Sequence, residues 1–182
     1  MLGHAEAGNA QAMFNMASYY FPRAQAHESL PPGEEPDAQI AFQWTIKAAE
    51  HGEPRAQLNL GGIYSGQAGN LVPGIELDYP KAAKWFQAAA EQDNAVSTEA
   101  QFALAKMLYM GKPGVEKDIL ASIAWLRKAG LQKYPPALDM LKRSPFAKAG
   151  VSAQDLLSEN WMDVLIEKVQ AAERVGESVK SL

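Results

Sequence analysis

The stretch DAQIAFQWTIKAAEHGEPRAQLNLGGIY, residues 37–64, decides the fold because the rest of the chain keeps returning to it. Aligned on Trp44, the same frame comes back at Trp85, 41 residues on, and at Trp125, 40 residues after that. An aspartate stands seven residues ahead of each tryptophan (Asp37, Asp78, Asp118), with a small residue midway (Ala41, Ala82, Ser122). A recurrence of about 40 residues marks a helical repeat whose units bury their apolar faces only by stacking on neighbours.

Within the stretch, Asp37 is placed to cap a helix by accepting from the free N–H groups of its first turn. Ala41, Trp44, Ile46, Ala48 and Ala49 follow, Gly52 ends the helix, and Pro54 suits the first turn of the next. Ala56, Leu60, Gly61 and Tyr64 then form a stripe at helical spacing, with small residues that let a neighbouring helix approach. The fixed phase of the three tryptophans assigns them to packing between helices rather than to ligand stacking.

Moving toward the C-terminus, a loop of Gly, Asn and Pro over 65–77 leads to Asp78 and a helix carrying Ala82, Trp85, Ala88 and Ala89. After QDNAV, Ser97 is the expected cap of a helix in which Ala100, Leu104, Ala105 and Leu108 take the places of Ala56, Leu60, Gly61 and Tyr64. The tyrosine has slipped one place, to Tyr109. A weaker third return keeps Ser122, Trp125, Lys128, Ala129, Pro135, Ala137 and Leu141, and breaks at Pro145.

Toward the N-terminus, Gly8, Ala12, Met16, Ala17 and Tyr20 match Gly52, Ala56, Leu60, Gly61 and Tyr64. The spacing predicts a helix over 10–20, followed by an exposed loop, FPRAQAHESLPPGEEP, over 21–36. Ahead of Gly8 only a stub of helix is expected, so the chain reads as an array entered partway. An export signal, a lipid anchor or another repeat is the expectation for what precedes it.

The last segment is of another kind. Ser152 and Asp155 form a capping-box pattern for a final helix, whose stripe is Leu157, Trp161, Val164, Leu165 and Val169. End elements of stacked repeats depart from the template because one of their faces meets water. The expected organisation is a repeat array over residues 1–145 and a capping helix with its tail over 146–182.

The pattern D-x-x-x-A-x-x-W-x-x-K-A-A-E-x-G, then A-Q-x-x-L-G-x-x-Y, resembles the Sel-1-like repeat, a relative of the tetratricopeptide repeat. It is carried by Asp37, Ala41, Trp44, Lys47, Ala48, Ala49, Glu50, Gly52, Ala56, Gln57, Leu60, Gly61 and Tyr64. The likeness extends over about residues 8 to 141. It implies an all-α fold, a right-handed α/α solenoid of antiparallel helix pairs, with the first helix of each pair on a concave face. Proteins of this kind are adaptors in bacterial assemblies and envelope biogenesis or subunits of quality-control complexes. Some look like immunity proteins against secreted toxins. The implied function is thus a non-catalytic protein-interaction module. Its counterpart, from another class, is a structural scaffold domain of a larger envelope or cell-wall assembly.

On the related tetratricopeptide frame the residue before the Leu-Gly pair faces the groove, which selects Asn15 and Asn59, with Ala103 in the third copy. One turn on lie Ser18, Gly62 and Lys106, then Phe21, Ser65 and Tyr109, while Phe14, Leu58 and Phe102 precede. The expected partner-binding groove is Phe14, Asn15, Ser18, Asn59, Phe102, Lys106 and Tyr109, suited to a peptide, a helix or a folded effector. Phe14, Leu58 and Phe102 are either exposed there or simply buried. A second candidate is the long-loop edge, where Leu71, Val72 and Ile75 either meet a partner or pack back on the helices.

Composition narrows the alternatives. Net charge is −4, with 17 basic and 21 acidic residues interspersed, so no basic stripe for nucleic acid is expected. There is no cysteine, which removes disulfides and thiolate chemistry. No apolar run reaches the ~18 residues of a membrane span, and MLGHAEAGNAQ lacks the basic and apolar regions of a signal peptide. The compartment is open: periplasmic or envelope-associated if an export signal was removed, cytoplasmic otherwise. His4, His27 and His51 have no metal-ligand spacing, GGIYSGQAGN lacks the phosphate-loop pattern, and no histidine follows Ser97 to activate a serine. No cofactor, metal or catalytic residue is expected.

Overall fold

A computed structural model describes residues 2–25, 37–69, 71–92 and 94–174. The described residues hold ten α-helices: α1 Leu2–Glu6, α2 Ala10–Gln25, α3 Asp37–Glu50, α4 Pro54–Tyr64, α5 Tyr79–Ala90, α6 Ser97–Met110, α7 Ile119–Leu131, α8 Pro135–Lys142, α9 Ala153–Leu157 and α10 Trp161–Arg174. A 3-10 helix covers Pro145–Ala149. An isolated bridge pairs Lys112 with Val115. They divide into two compact units, 1–100 and 101–182, with the border inside α6.

The punctuation of the helices follows the sequence closely. Asp78 and Asp118 cap α5 and α7, accepting from the N–H groups of Lys81 (2.9 Å) and Ala121 (2.8 Å). Asp37 lies in the first turn of α3. Gly52 turns the chain with φ +84°, a conformation that costs a residue with a Cβ. Glu53, unremarked in the sequence, caps α4 from a buried position and accepts from the Ala56 N–H at 2.7 Å. Ser97 does not act as the expected cap. Its hydroxyl donates to the Asn94 carbonyl (2.6 Å), and the Asn94 side chain accepts from the N–H groups of Val96 and Ser97.

Helix α2 runs past Tyr20 to Gln25, so Phe21–Gln25 are helical where the proline suggested a loop. Pro22 removes one N–H, which a last turn tolerates better than a helix interior. The rest of that loop, including His27, lies outside the described residues.

In the first unit α1 packs on α2, α2 on α3, α3 on α4 and α4 on α5. Their core is Met13, Met16, Phe42, Ala48, Ala49, Ala56, Leu60 and Ile63, with Trp44 and Trp85 packed against it. The tryptophans are half-buried, and Lys47 covers the Trp44 ring at 4.5 Å. The deepest position belongs to the residue that follows each tryptophan. Thr45, Phe86 and Leu126 are among the most buried side chains of the chain.

The second unit has one core, shared by Ile123, Leu126, Ala129, Ala137 and Leu141 with Phe146, Val151, Leu156, Leu165 and Ala172. Residues beyond 145 therefore belong to the same packed body as α7 and α8. The capping box at Ser152 and Asp155 is formed, but it opens only the short α9. The chain then turns at Ser158, whose carbonyl accepts from the Arg127 guanidinium at 2.8 and 3.2 Å, and α10 follows as a separate helix. The expected single last helix is thus two.

Candidate functional site

The positions selected from the repeat frame lie on the even-numbered helices. On α2, Asn15 and Ser18 are exposed and Phe14 is half-buried. Asn15 accepts from Gln11 Nε2 at 3.1 Å, and the Ser18 hydroxyl donates to the Phe14 carbonyl at 3.0 Å. On α4, Asn59 is exposed and Leu58 half-buried. On α6, Phe102, Lys106 and Tyr109 are half-buried, whereas Ala103 is buried. The aromatic positions are therefore neither fully exposed nor simply core.

In the second unit Phe102, Lys106 and Tyr109 converge. With Met110 and the α8 residues Pro136, Asp139, Met140 and Arg143 they line a hollow of about 420 Å3. Phe102 meets Tyr134 edge-on, with ring centroids 5.6 Å apart, and Lys106 Nζ lies 5.7 Å from the Phe102 ring. Arg143 pairs with Asp139 at 2.9 Å on the exposed rim. Among the described residues Lys106 makes no ion pair, so its ammonium is free to meet an anion from outside.

The α8 contributors were missed because the groove positions were taken from only three copies, although Ala137 and Leu141 keep the frame in α8. Ala137 is fully buried at the place of Ala56 and Ala100. Counting from it, Asp139, Met140 and Arg143 occupy the places of Phe102, Ala103 and Lys106. One further copy of the frame would have found them, although the A-Q and L-G signatures are gone from α8.

Of the two readings of the long loop, packing back on the helices is the one that holds for Val72, which is therefore not a partner-binding position. Val72, at 3% exposure, is part of the first unit's core, and Leu71 and Ile75 pack against that core half-buried. Gln39 Nε2 donates to the Pro73 carbonyl at 3.0 Å and ties the loop to α3. Val72 is therefore an anchor, held inside by the same desolvation that holds Ile63.

Among the described residues, the carboxyl groups with shifted titration sit in pairs that cap or brace helices. The Lys168 ammonium and the Ser152 groups hold the Asp155 carboxyl down to about 2. Asp78 is lowered by hydrogen bonds from the Lys81 backbone and side chain. Among the described residues, no group of three His, Asp or Glu side chains is placed to hold a metal ion. No helix there is long and apolar enough to cross a membrane.

Comparison with known proteins agrees with this geometry. The Sel1 repeat family matches residues 10–53, 54–94 and 98–134, which are the pairs α2–α3, α4–α5 and α6–α7. The chain belongs to the Sel1 repeat family, and its fold class is the all-α solenoid of that family. Proteins of this family generally mediate protein–protein interactions as scaffolds.

A Sel1 repeat protein from Oxalobacter formigenes superposes with a TM-score of 0.62 at 28% identity, covering 78% of this chain and 93% of that one. The protective antigen c5321, present in uropathogenic Escherichia coli strains and displaying an SLR fold, gives a TM-score of 0.64 at 28% identity. It covers 96% of this chain and 34% of its own. The chitin synthase regulator SKT5 of Saccharomyces cerevisiae is 31% identical over 87 residues, which are 48% of this chain. The match spans only 11% of that yeast protein.

Proposed function

We propose that this chain is a non-catalytic interaction module of bacterial type that takes a segment of a partner protein at its inner-face positions. Its role within that class is an adaptor or an immunity protein against a secreted toxin. The observation that carries the reading is the hollow of Phe102, Lys106, Tyr109 and Met140. Half-exposed aromatic and sulfur side chains surround an unpaired ammonium at places the repeat frame reserves for contact. Such a site anchors an apolar side chain and orients it with one charge. In the first unit Phe14, Asn15, Ser18 and Asn59 serve the same end, and Leu71 and Ile75 contribute at the loop edge. The bacterial origin of the Oxalobacter formigenes and Escherichia coli structures supports the bacterial assignment.

A photo-crosslinking residue placed at Tyr109 or Met140 tests this in cells of the source organism. One protein should be captured from both positions and not from Glu91, an exposed position on α5's end. Equal capture from all three, or turnover of a metabolite by the purified chain, overturns the reading. A second reading, a spacer domain within a larger assembly, is favoured by the small share that the match occupies in the yeast regulator.

A further inference from the structure

The second unit carries another surface, which shares no residue with the hollow just described. Leu108 of α6, Phe146 of the 3-10 helix and Leu165 of α10 floor an open groove of about 920 Å3. Leu120 of α7 and Met162, Ile166 and Val169 of α10 form its walls. Leu120, Met162 and Ile166 are large apolar side chains that remain 46%, 37% and 48% exposed. Along α10, residues 162, 166 and 169 fall at i, i+4 and i+7, which makes one stripe on one face of the helix. That stripe flanks the groove and has no covering element among the described residues. A contiguous apolar surface of this kind, rimmed by polar groups, marks an interaction site.

The rim says what kind of partner fits. Glu116 and Asp118 line one side, with Lys117 between them. On α10 the exposed Asp163 stands beside Met162, and the exposed Glu173 lies one turn past Val169, with Arg174 after it. Lys168 is committed elsewhere, to Asp155 at 2.7 Å and the Gly150 carbonyl at 3.1 Å. Glu116, Lys117 and Asp118 thus line the trough, Asp118 while also capping α7, and along α10 the exposed Asp163, Glu167 and Glu173 outnumber Arg174.

We infer that this groove docks an amphipathic helix of a partner protein, with its apolar stripe in the trough and basic residues along its flanks. An apolar stripe at i, i+3 or i+4 and i+7 matches a groove that is itself built from such a stripe. The acidic rim favours lysine and arginine over acidic flanks, speeding encounter and fixing orientation. The surface is independent of the inner-face positions, so one chain can hold two proteins at once.

The test uses the full chain and a fluorescent peptide of leucine and lysine with leucine at i, i+4, i+7 and i+11, as long as α10 (14 residues). Anisotropy titration should show binding about tenfold tighter than for a scrambled isomer or a leucine–glutamate version. Because the side chains concerned are exposed, the double variant Met162→Ser with Ile166→Ser should keep its melting temperature and lose about tenfold in affinity. Reversing the rim with Glu116→Lys and Asp163→Lys should move the preference toward the leucine–glutamate peptide. Phe102→Ala with Tyr109→Ala should leave this binding unchanged, which separates the groove from the inner face. Equal binding of the scrambled peptide, or no loss in the serine variant, overturns the inference. So does a dimer, seen by sedimentation, that Ile166→Ser abolishes, since a second copy would then be the occupant. Tighter peptide binding after deletion of residues 175–182 overturns it in favour of the chain's own end.

Discussion

The two compact units fill the same repeat frame with different pairs of side chains. In the first unit Gly61 faces Phe86 so closely that a Cβ at Gly61 would overlap the Phe86 ring. In the second the matching places hold Ala105 and Leu126, a larger and a smaller residue, both buried. Around α3, Thr45 and Ala17 fill the corresponding places, again both buried. The Gly61–Phe86 and Ala105–Leu126 pairs keep the sum of two volumes, because interiors tolerate neither voids nor overlap, whereas Ala17 and Thr45 together fill less space. Polar chemistry is exchanged in the same way. Where the first unit has the apolar Ala41 and Ala82, the second has Ser122, whose buried hydroxyl donates to the Ala105 carbonyl at 2.8 Å.

The sharpest break of this pairing is Phe86→Ala, which should cost about 3–5 kcal/mol in chemical denaturation as a cavity opens in the first unit. A loss below about 1 kcal/mol would mean that Phe86 is not the member that fills the space. Gly61→Ala should cost about 1–3 kcal/mol through overpacking, and Gly61→Ala with Phe86→Leu should recover much of it by copying the second unit's pair. Strict additivity of the two changes would refute the volume-sum account.

Ser122→Ala, which gives the second unit the residue its counterpart already has, should cost about 1 kcal/mol for the lost hydrogen bond. The smallest effect concerns Asp155. Its carboxyl, held at about 2 by Lys168 and Ser152, contributes stability that is present above the ordinary carboxylate range. That contribution is lost as pH falls from about 4 toward 2. Asp155→Asn should lower stability at neutral pH by about 0.5 kcal/mol and flatten the acid limb of the melting curve, with the first unit unaffected. An unchanged acid limb would show that the pair is silent.

How much of this could be read beforehand follows from the same physics. The aspartate caps, Gly52, Pro54 and the invariant-size positions Ala41, Ala56 and Ala100 were legible because one backbone conformation or one close contact admits few residue types. The deepest column, Thr45, Phe86 and Leu126, was not, since its members compensate for partners far away in sequence. Emphasis fell on the tryptophans instead, which pack against the cores with one edge in water. The frame selected Phe102, Lys106 and Tyr109 on α6, which line one hollow, but their companions Asp139, Met140 and Arg143 required carrying the same positions on to α8, where the signature residues are gone. The break between α9 and α10 rests on Arg127 reaching Ser158, a contact that no local pattern announces.

One small feature reaches beyond packing. The N–H of Asp78 donates to the Tyr64 carbonyl at 2.9 Å, and the N–H of Asp118 donates to the Leu108 carbonyl at the same distance. The two loops so closed differ in length by four residues, yet the helices they join keep the same frame. Loop length is therefore uncoupled from helix register. The turn at 111–117 should accept added sequence while α6 and α7 keep their register, as α4 and α5 do across the longer 65–77 loop.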